Sequence, residues 1–215
     1  MIIRTTRPQN RGVSLGRAAR FAGGLLAREL PHWACYHTPR HTRQTVAACR
    51  EIGRALRLGT RQMEILLLAA WFHDTGYAIT ADGHEERSAG IAERFLKAEG
   101  CPNRTIERVK GCILATRMPQ RPQSVLQRVL CDADLTSLGK KTFLTQNELL
   151  RQEMERREGR VIDEMAWLHR SYRFLRRHRF TTRYGRTVLE AGKQANIKRL
   201  RRLMQKWEKA GGRTA

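Results

Sequence analysis

The sequence predicts an all-α fold: a helical bundle with extra basic helices at its C-terminal end. Apolar residues recur at three- and four-residue spacing through most of the 215-residue chain, and strand-like alternation is negligible. Helix stop and start residues punctuate these stretches, among them Gly59, Thr75-Gly76, Asp82-Gly83, Gly100 and Pro119. Beyond residue 140 the chain continues as long Arg-rich segments with apolar positions at helical intervals.

Residues 1–16 lack periodicity and contain Pro8, Gly12 and Gly16, so a tail is expected there. A short helix over about 17–30 ends before Pro31. Trp33 to Arg40 reads as irregular, with Pro39 suited to the first turn of a helix that carries His41 near its start. Val46, Cys49, Gly53 and Leu56 mark one face of that helix. Gly59 stops it, and Thr60 is placed as the cap of the next. Arg61 to Phe72 is apolar nearly all round, as a central buried helix is. A helix after Asp82-Gly83 buries Ala89, Ala92, Phe95 and Leu96, and Asn103 is expected to cap another with Ile106, Val109 and Ile113 inward. Val125 to Leu130 runs into Cys131-Asp132-Ala133-Asp134. Helices over roughly 142–158, 161–178 and 187–209 complete the chain, with Trp167, Leu168, Leu175, Val188, Leu200, Leu203 and Trp207 facing inward. The expected organisation is a basic arm and short helix over 1–31, then one unit over 32–215 with its motifs at about 33–140.

The net charge of +22 is unevenly spread. Residues 1–31 hold six Arg against Glu29, and residues 151–215 hold 19 Lys/Arg against seven acids. Such an excess reads either as solvated helix faces or as attraction to polyanions, a phosphorylated substrate or nucleic acid. Aromatics are too sparse for a single-strand stacking platform. Five Cys, an odd number without a Cys-x-x-Cys pair, argue against a disulfide framework and a zinc ribbon, and fit a reducing cytosol. No apolar run nears the roughly 20 residues of a membrane span. The Arg-rich start without acids resembles an organellar presequence or is simply a basic tail.

The chemistry-bearing residues are ordered His37, His41, His73-Asp74 and Asp132-Ala133-Asp134. Imidazole and carboxylate together make the first shell of a transition-metal site. His73-Asp74 follows an apolar run, where a buried carboxylate is costly unless paired or bound to metal; the plainer reading is a His favoured by the helix dipole beside a solvated Asp. Pro39 places His37 on the incoming loop and His41 on the helix, so one can bind metal while the other moves protons. Of Asp132 and Asp134, one can ligate while the other hydrogen-bonds backbone or supports a ligand from the second shell; the plainer reading is an Asp pair that caps the following helix. His84 can reach the same cavity; Glu85 and Glu86 read as dipole complementation. Arg117, Lys140 and Lys141 follow these segments and are candidates for binding phosphate.

In this order the segments Tyr-His-x3-His-Thr (36–42), Phe-His-Asp-Thr-Gly-Tyr (72–77), His-Glu-Glu-Arg-Ser-Ala (84–89), Ala-Thr-Arg-Met-Pro (115–119) and Cys-Asp-Ala-Asp-Leu (131–135) resemble the HD superfamily of metal-dependent phosphohydrolases, all-α enzymes named for their His-Asp doublet. The resemblance covers about residues 33–140. It implies an HD-type bundle in which His41, His73, Asp74 and Asp134 ligate a divalent metal (Mn, Mg, Fe, Ni or Co), Asp74 also orients water, and Asp132 supports from the second shell. Tyr36-His37 is similar to the start of the cyclic-nucleotide phosphodiesterase branch, which implies that His37 is the general acid. Two-metal members add two His ligands. His84 matches the first, but Thr116 stands near the place of the second, which leaves one tight metal and weakens a di-iron oxygenase reading. The expected activity is hydrolysis of a phosphomonoester or phosphodiester of a nucleotide or similar small molecule, with nucleic acid a further partner for the basic surface. The alternative is a nucleic-acid- or protein-binding module on an inert scaffold.

Overall fold

The computed structural model describes residues 14–209. The basic tail with Arg4, Arg7 and Arg11, on which the presequence reading rests, lies outside them. Among the described residues the fold is all-α, without strands: α1 (Leu15–Glu29), α2 (Pro39–Ala55), α3 (Thr60–Phe72), α4 (His84–Ala98), α5 (Asn103–Leu114), α6 (Val125–Asp134), α7 (Phe143–Glu158), α8 (Glu164–Arg177) and α9 (Glu190–Lys209). None of these helices is long and apolar enough to cross a membrane.

α3 is the central element. Ile65 to Ala70 and Phe72 are all buried, so the helix is enclosed on every side. α1, α2, α4, α5 and α6 surround it and form one hydrophobic core. A second core unites the turn Thr136–Gly139 with α7, α8 and α9 through Leu138, Phe143, Leu175, Leu189, Ile197 and Leu200. Tyr184 packs against both cores.

Two close approaches set the geometry around the His/Asp residues. A Cβ on Gly76 would lie 2.0 Å from the His84 carbonyl oxygen, so only glycine lets the end of α3 meet the start of α4. A Cβ on Gly192 would lie 1.9 Å from the Gly139 carbonyl, and that contact seats α9 against the turn after α6.

Small corrections follow. Pro39 does open α2, but Gly59 rather than Thr60 precedes α3, its N–H donating to Gln62 Oε1 at 3.2 Å. Pro102, not Asn103, precedes α5. Val188 and Leu203 are 52% and 38% exposed, and Leu189 and Met204 take the inward positions instead. A π turn over Gly185–Leu189 shifts the helical phase just before α9. Trp207 is only half-buried.

The largest correction concerns Asp132. It is buried and turned away from the other acids, toward the chain that enters the C-terminal segment. Its Oδ1 accepts from the Thr181 amide (2.9 Å) and hydroxyl (3.0 Å), and its Oδ2 from the Thr182 amide (2.8 Å) and hydroxyl (2.7 Å). It therefore clamps α6 to the segment leading into α9. Asp132→Ala leaves two amides without their acceptor in a buried place, and hydrogen bonds to charged groups contribute about 1.5–3 kcal/mol each. A loss of about 3 kcal/mol is expected, a drop of roughly 6–12 °C in Tm for a chain of this size. A calorimetric Tm within 2 °C of the parent would contradict the clamp.

Candidate metal centre and active site

The four expected ligands meet. His41 enters from the first turn of α2, His73 and Asp74 follow α3, and Asp134 ends α6. His41 Nε2 lies 3.0 Å from Asp134 Oδ1 and 3.4 Å from Asp74 Oδ2. His73 Nε2 lies 3.2 Å from Asp74 Oδ2 and 3.4 Å from Asp134 Oδ1. Donor atoms of His41, His73 and Asp134 all fall within 4.8 Å of one another, spacing that suits a shared ion.

The hydrogen bonding supports the same conclusion. His73 Nδ1 faces the Ala70 carbonyl at 2.9 Å, so it carries the proton and donates, leaving a bare lone pair on Nε2. His73 Nε2 and Asp74 Oδ2 are buried polar atoms without a hydrogen-bond partner. Unsatisfied buried groups of this kind are rare unless they bind an ion. The donor set, two imidazoles and two carboxylates, fits a divalent transition metal. Burial pushes the Asp74 carboxyl up, but the positive field of His73 beside it more than reverses this and holds it far below the usual range. Burial is likewise outweighed for Asp134, chiefly by its bond from His41. For His73, burial pulls the pKa down, yet the charges of Asp74 and Asp134 hold it well above its ordinary value. Protons and a metal ion thus compete for the same lone pairs.

His84 repeats the tautomer logic. Its Nδ1 faces the Ala81 carbonyl at 3.0 Å, and its Nε2 is 3.7 Å from Asp74 Oδ1, the carboxylate oxygen on the other side. Thr116 also borders the site, but its hydroxyl is tied back to the Ile113 carbonyl at 2.7 Å.

His37 lies just before α2 and is not among the clustered donors. Its partner is a residue that sequence reasoning missed, Glu153 on α7. Glu153 Oε1 accepts from His37 Nδ1, while Oε2 accepts three backbone amides, those of Cys35 (2.9 Å), Tyr36 (2.8 Å) and His37 (2.9 Å). One buried carboxylate so fixes both the loop and the ring upon it. Burial lowers the His37 pKa, but the Glu153 hydrogen bond and the nearby acids outweigh this and raise it. The ring stacks on Tyr77 with centroids 4.1 Å apart, and Tyr77 in turn covers His84.

These groups open into one cavity of about 730 Å³ between the two cores. The side of the first core contributes Asp74, Tyr77, His84 and Asp134, and α7 and α8 form the opposite wall. Arg117 reaches the rim but is engaged by Glu86, so Glu86 does more than complement a dipole. Lys140 and Lys141 are exposed and do not line the cavity; their carbonyls instead accept from Asn196 and Arg199 on α9. Both are thereby removed as phosphate-binding candidates. The five Cys are free, as expected.

A family model for the HD domain matches residues 38–139, the stretch that holds all four donors. The crystal structure of a predicted HD superfamily hydrolase from an uncultured Thermotogales bacterium is similar over 87% of this chain and 92% of that one, with a TM-score of 0.59 and 17% identity. No curated protein matches the sequence. The doublet after α3, the converging donors and the matched model agree that residues 38–139 are similar to the HD domain.

Proposed function

We propose that this protein is a divalent-metal-dependent phosphohydrolase that cleaves a small phosphate ester, a nucleotide or a related compound. The observation that carries the reading is the pair of buried, unpartnered atoms His73 Nε2 and Asp74 Oδ2, set beside His41 and Asp134 at the floor of an open cavity. These four residues would hold the ion, which when bound activates water and polarises a phosphoryl oxygen. Asp74 orients the attacking water through its second oxygen, the one that faces His84. His37 has Nδ1 committed to Glu153, so Nε2 is the atom left to protonate the departing oxygen. The raised pKa of His37 keeps that proton in place near neutral pH. Tyr77, stacked on the ring, excludes water from one of its faces.

Metal analysis of the purified protein, combined with a screen of phosphate esters under Mn, Mg, Fe, Ni and Co, tests the proposal. The expected result is metal-dependent release of phosphate or of a phosphomonoester. Bound metal without turnover of any ester would sink it.

A second reading, a nucleic-acid-binding module on an inert scaffold, is favoured by the surface of α8 and α9. Arg173, Arg176, Arg177, Arg199, Arg202 and Lys206 are exposed there without acidic partners among the described residues. On the enzymatic reading the same charges steer anionic substrate toward the cavity. Then kcat/KM should fall as ionic strength rises, while kcat holds. Tight, steeply salt-dependent binding of RNA or DNA by metal-free protein would favour the module instead.

A further inference from the structure

We propose that the ester cleaved here carries a second anionic group at the far end of its organic body, and that Arg170 of α8 and Asn147 of α7 hold that group. The inference rests on the phosphohydrolase reading above and narrows the class of ester. A phosphoryl group needs only the space beside the four donors, whereas the cavity of about 730 Å³ falls within the roughly 300–1,000 Å³ typical of sites that enclose whole small molecules. Its lining on α7 runs from Phe143 to Arg157. At a rise of about 1.5 Å per residue that stretch is about 21 Å long, so the cleft extends well past the space a phosphoryl group fills.

Charge distinguishes the positions along it. Three Arg line the cavity among the described residues: Arg117, Arg157 and Arg170. Arg117 is engaged by Glu86, and Arg157 lies 3.5 Å from Asp82. Arg170 makes no ion pair or hydrogen bond among the described residues, and residues 1–13 and 210–215 contain no Asp or Glu. Glu153, the acid among the described residues lining the α7 and α8 wall, is spent on His37 and three backbone amides. The Arg170 guanidinium carbon stands 5.4 Å from the centroid of the Trp167 ring, one turn earlier on α8. A guanidinium held over a ring by its face keeps its in-plane N–H fork for a carboxylate or a phosphate. Ser171, the next residue, donates to Asn147 Oδ1 at 3.0 Å, which leaves the Asn147 amide hydrogens as further donors on the same wall. A positive charge and donors without acceptors, beside no free carboxylate, suit an anion. Asn147 precedes Glu153 by six residues, about 9 Å along α7, so the second anion lies about that far from the His37 end.

Calorimetric titration of the metal-loaded, full-length protein with phosphonates, which are not cleaved as esters are, tests this apart from turnover. Hexylphosphonate and ω-phosphonohexanoate share chain and phosphonate, and differ by a terminal carboxylate in place of a methyl group. The acid should bind about tenfold tighter, the gain expected of one charge-assisted contact. Arg170 is exposed, so Arg170→Gln spares the core; it should abolish that advantage and leave hexylphosphonate affinity unchanged. Arg176→Gln makes the same change of charge on α8 at a position that does not line the cavity, and should leave the advantage intact. Equal or weaker binding of the acid by the parent protein overturns the subsite while leaving the phosphohydrolase reading standing. Failure of both phosphonates to bind overturns both. An advantage that survives in Arg170→Gln, or that falls as far in Arg176→Gln, overturns the role given to Arg170.

Discussion

His73→Ala should cost the protein its metal and, with it, its activity. His73 has no exposed surface, and its Nδ1 is locked to the Ala70 carbonyl, so Nε2 points at the acids in a single orientation. Loss of even an outer partner of a ligand lowers metal affinity about 10- to 100-fold, and loss of a ligand itself should exceed that range. The buried ring also contributes packing, so His73→Gln, closer in volume, serves as the control. Both variants should show metal content far below the parent by elemental analysis, with His73→Gln retaining the parental helical signal. A variant that kept full metal occupancy would show that the four donors are not the binding set.

The second large effect is expected at His37, and it should be of the opposite kind. His37→Ala removes the proton donor without touching a ligand, so turnover should fall roughly 10²–10⁴-fold while metal content stays at the parental level. Glu153→Gln distinguishes positioning from simple structure. The amide keeps the shape of the carboxylate but not its charge, and the charge-supported bond to Nδ1 is the main influence opposing the burial of His37. Without it the His37 pKa falls, the protonated form is lost at lower pH, and the alkaline limb of the kcat profile moves to lower pH. Glu153→Gln should therefore change the pH profile, and its rate defect should shrink as the assay is made more acidic. A variant with reduced rate but an unshifted profile would mean that Glu153 holds the loop and does not set the ionisation of His37.

The helices and the order of the ligands were readable because both are local. Helical periodicity needs only a turn or two of sequence, and the candidate donors Asp74 and Asp134 stand at the ends of apolar stretches, where burial makes an acid conspicuous. The Asp-Ala-Asp segment shows where that stops. On α6 two residues two apart lie about 200° apart around the axis, so Asp132 and Asp134 cannot serve the same centre. Asp134 faces the imidazoles and Asp132 faces Thr181 and Thr182. The helical rotation itself was available; what was not is the identity of the segment waiting behind α6, about 50 residues further along. Glu153 escaped for a similar reason. It sits among Glu148, Glu155, Glu158 and several Arg on a helix with few buried positions, where it resembles a solvated charge. Only the fold, which brings it to three amides 116 to 118 residues away, reveals it as buried and fully engaged. The misplaced Val188 has a third cause, a π turn that no apolar pattern announces.

The Glu153 clamp also bears on the order in which the chain becomes competent during synthesis. The four candidate metal donors lie between positions 41 and 134, in or beside the first core, and all precede α7 in the chain. His37, the proposed proton donor, precedes them all in sequence, yet its ring is fixed only when a residue 116 positions later docks beneath it. Closing a loop of that length is slow to achieve even though its entropy grows only logarithmically with length. On the proposed roles, the four donors can gather an ion before Glu153 has docked, and the proton donor is positioned only once α7 is in place. On that reading metal content would report that the first core has formed, and catalysis that α7 has docked against it.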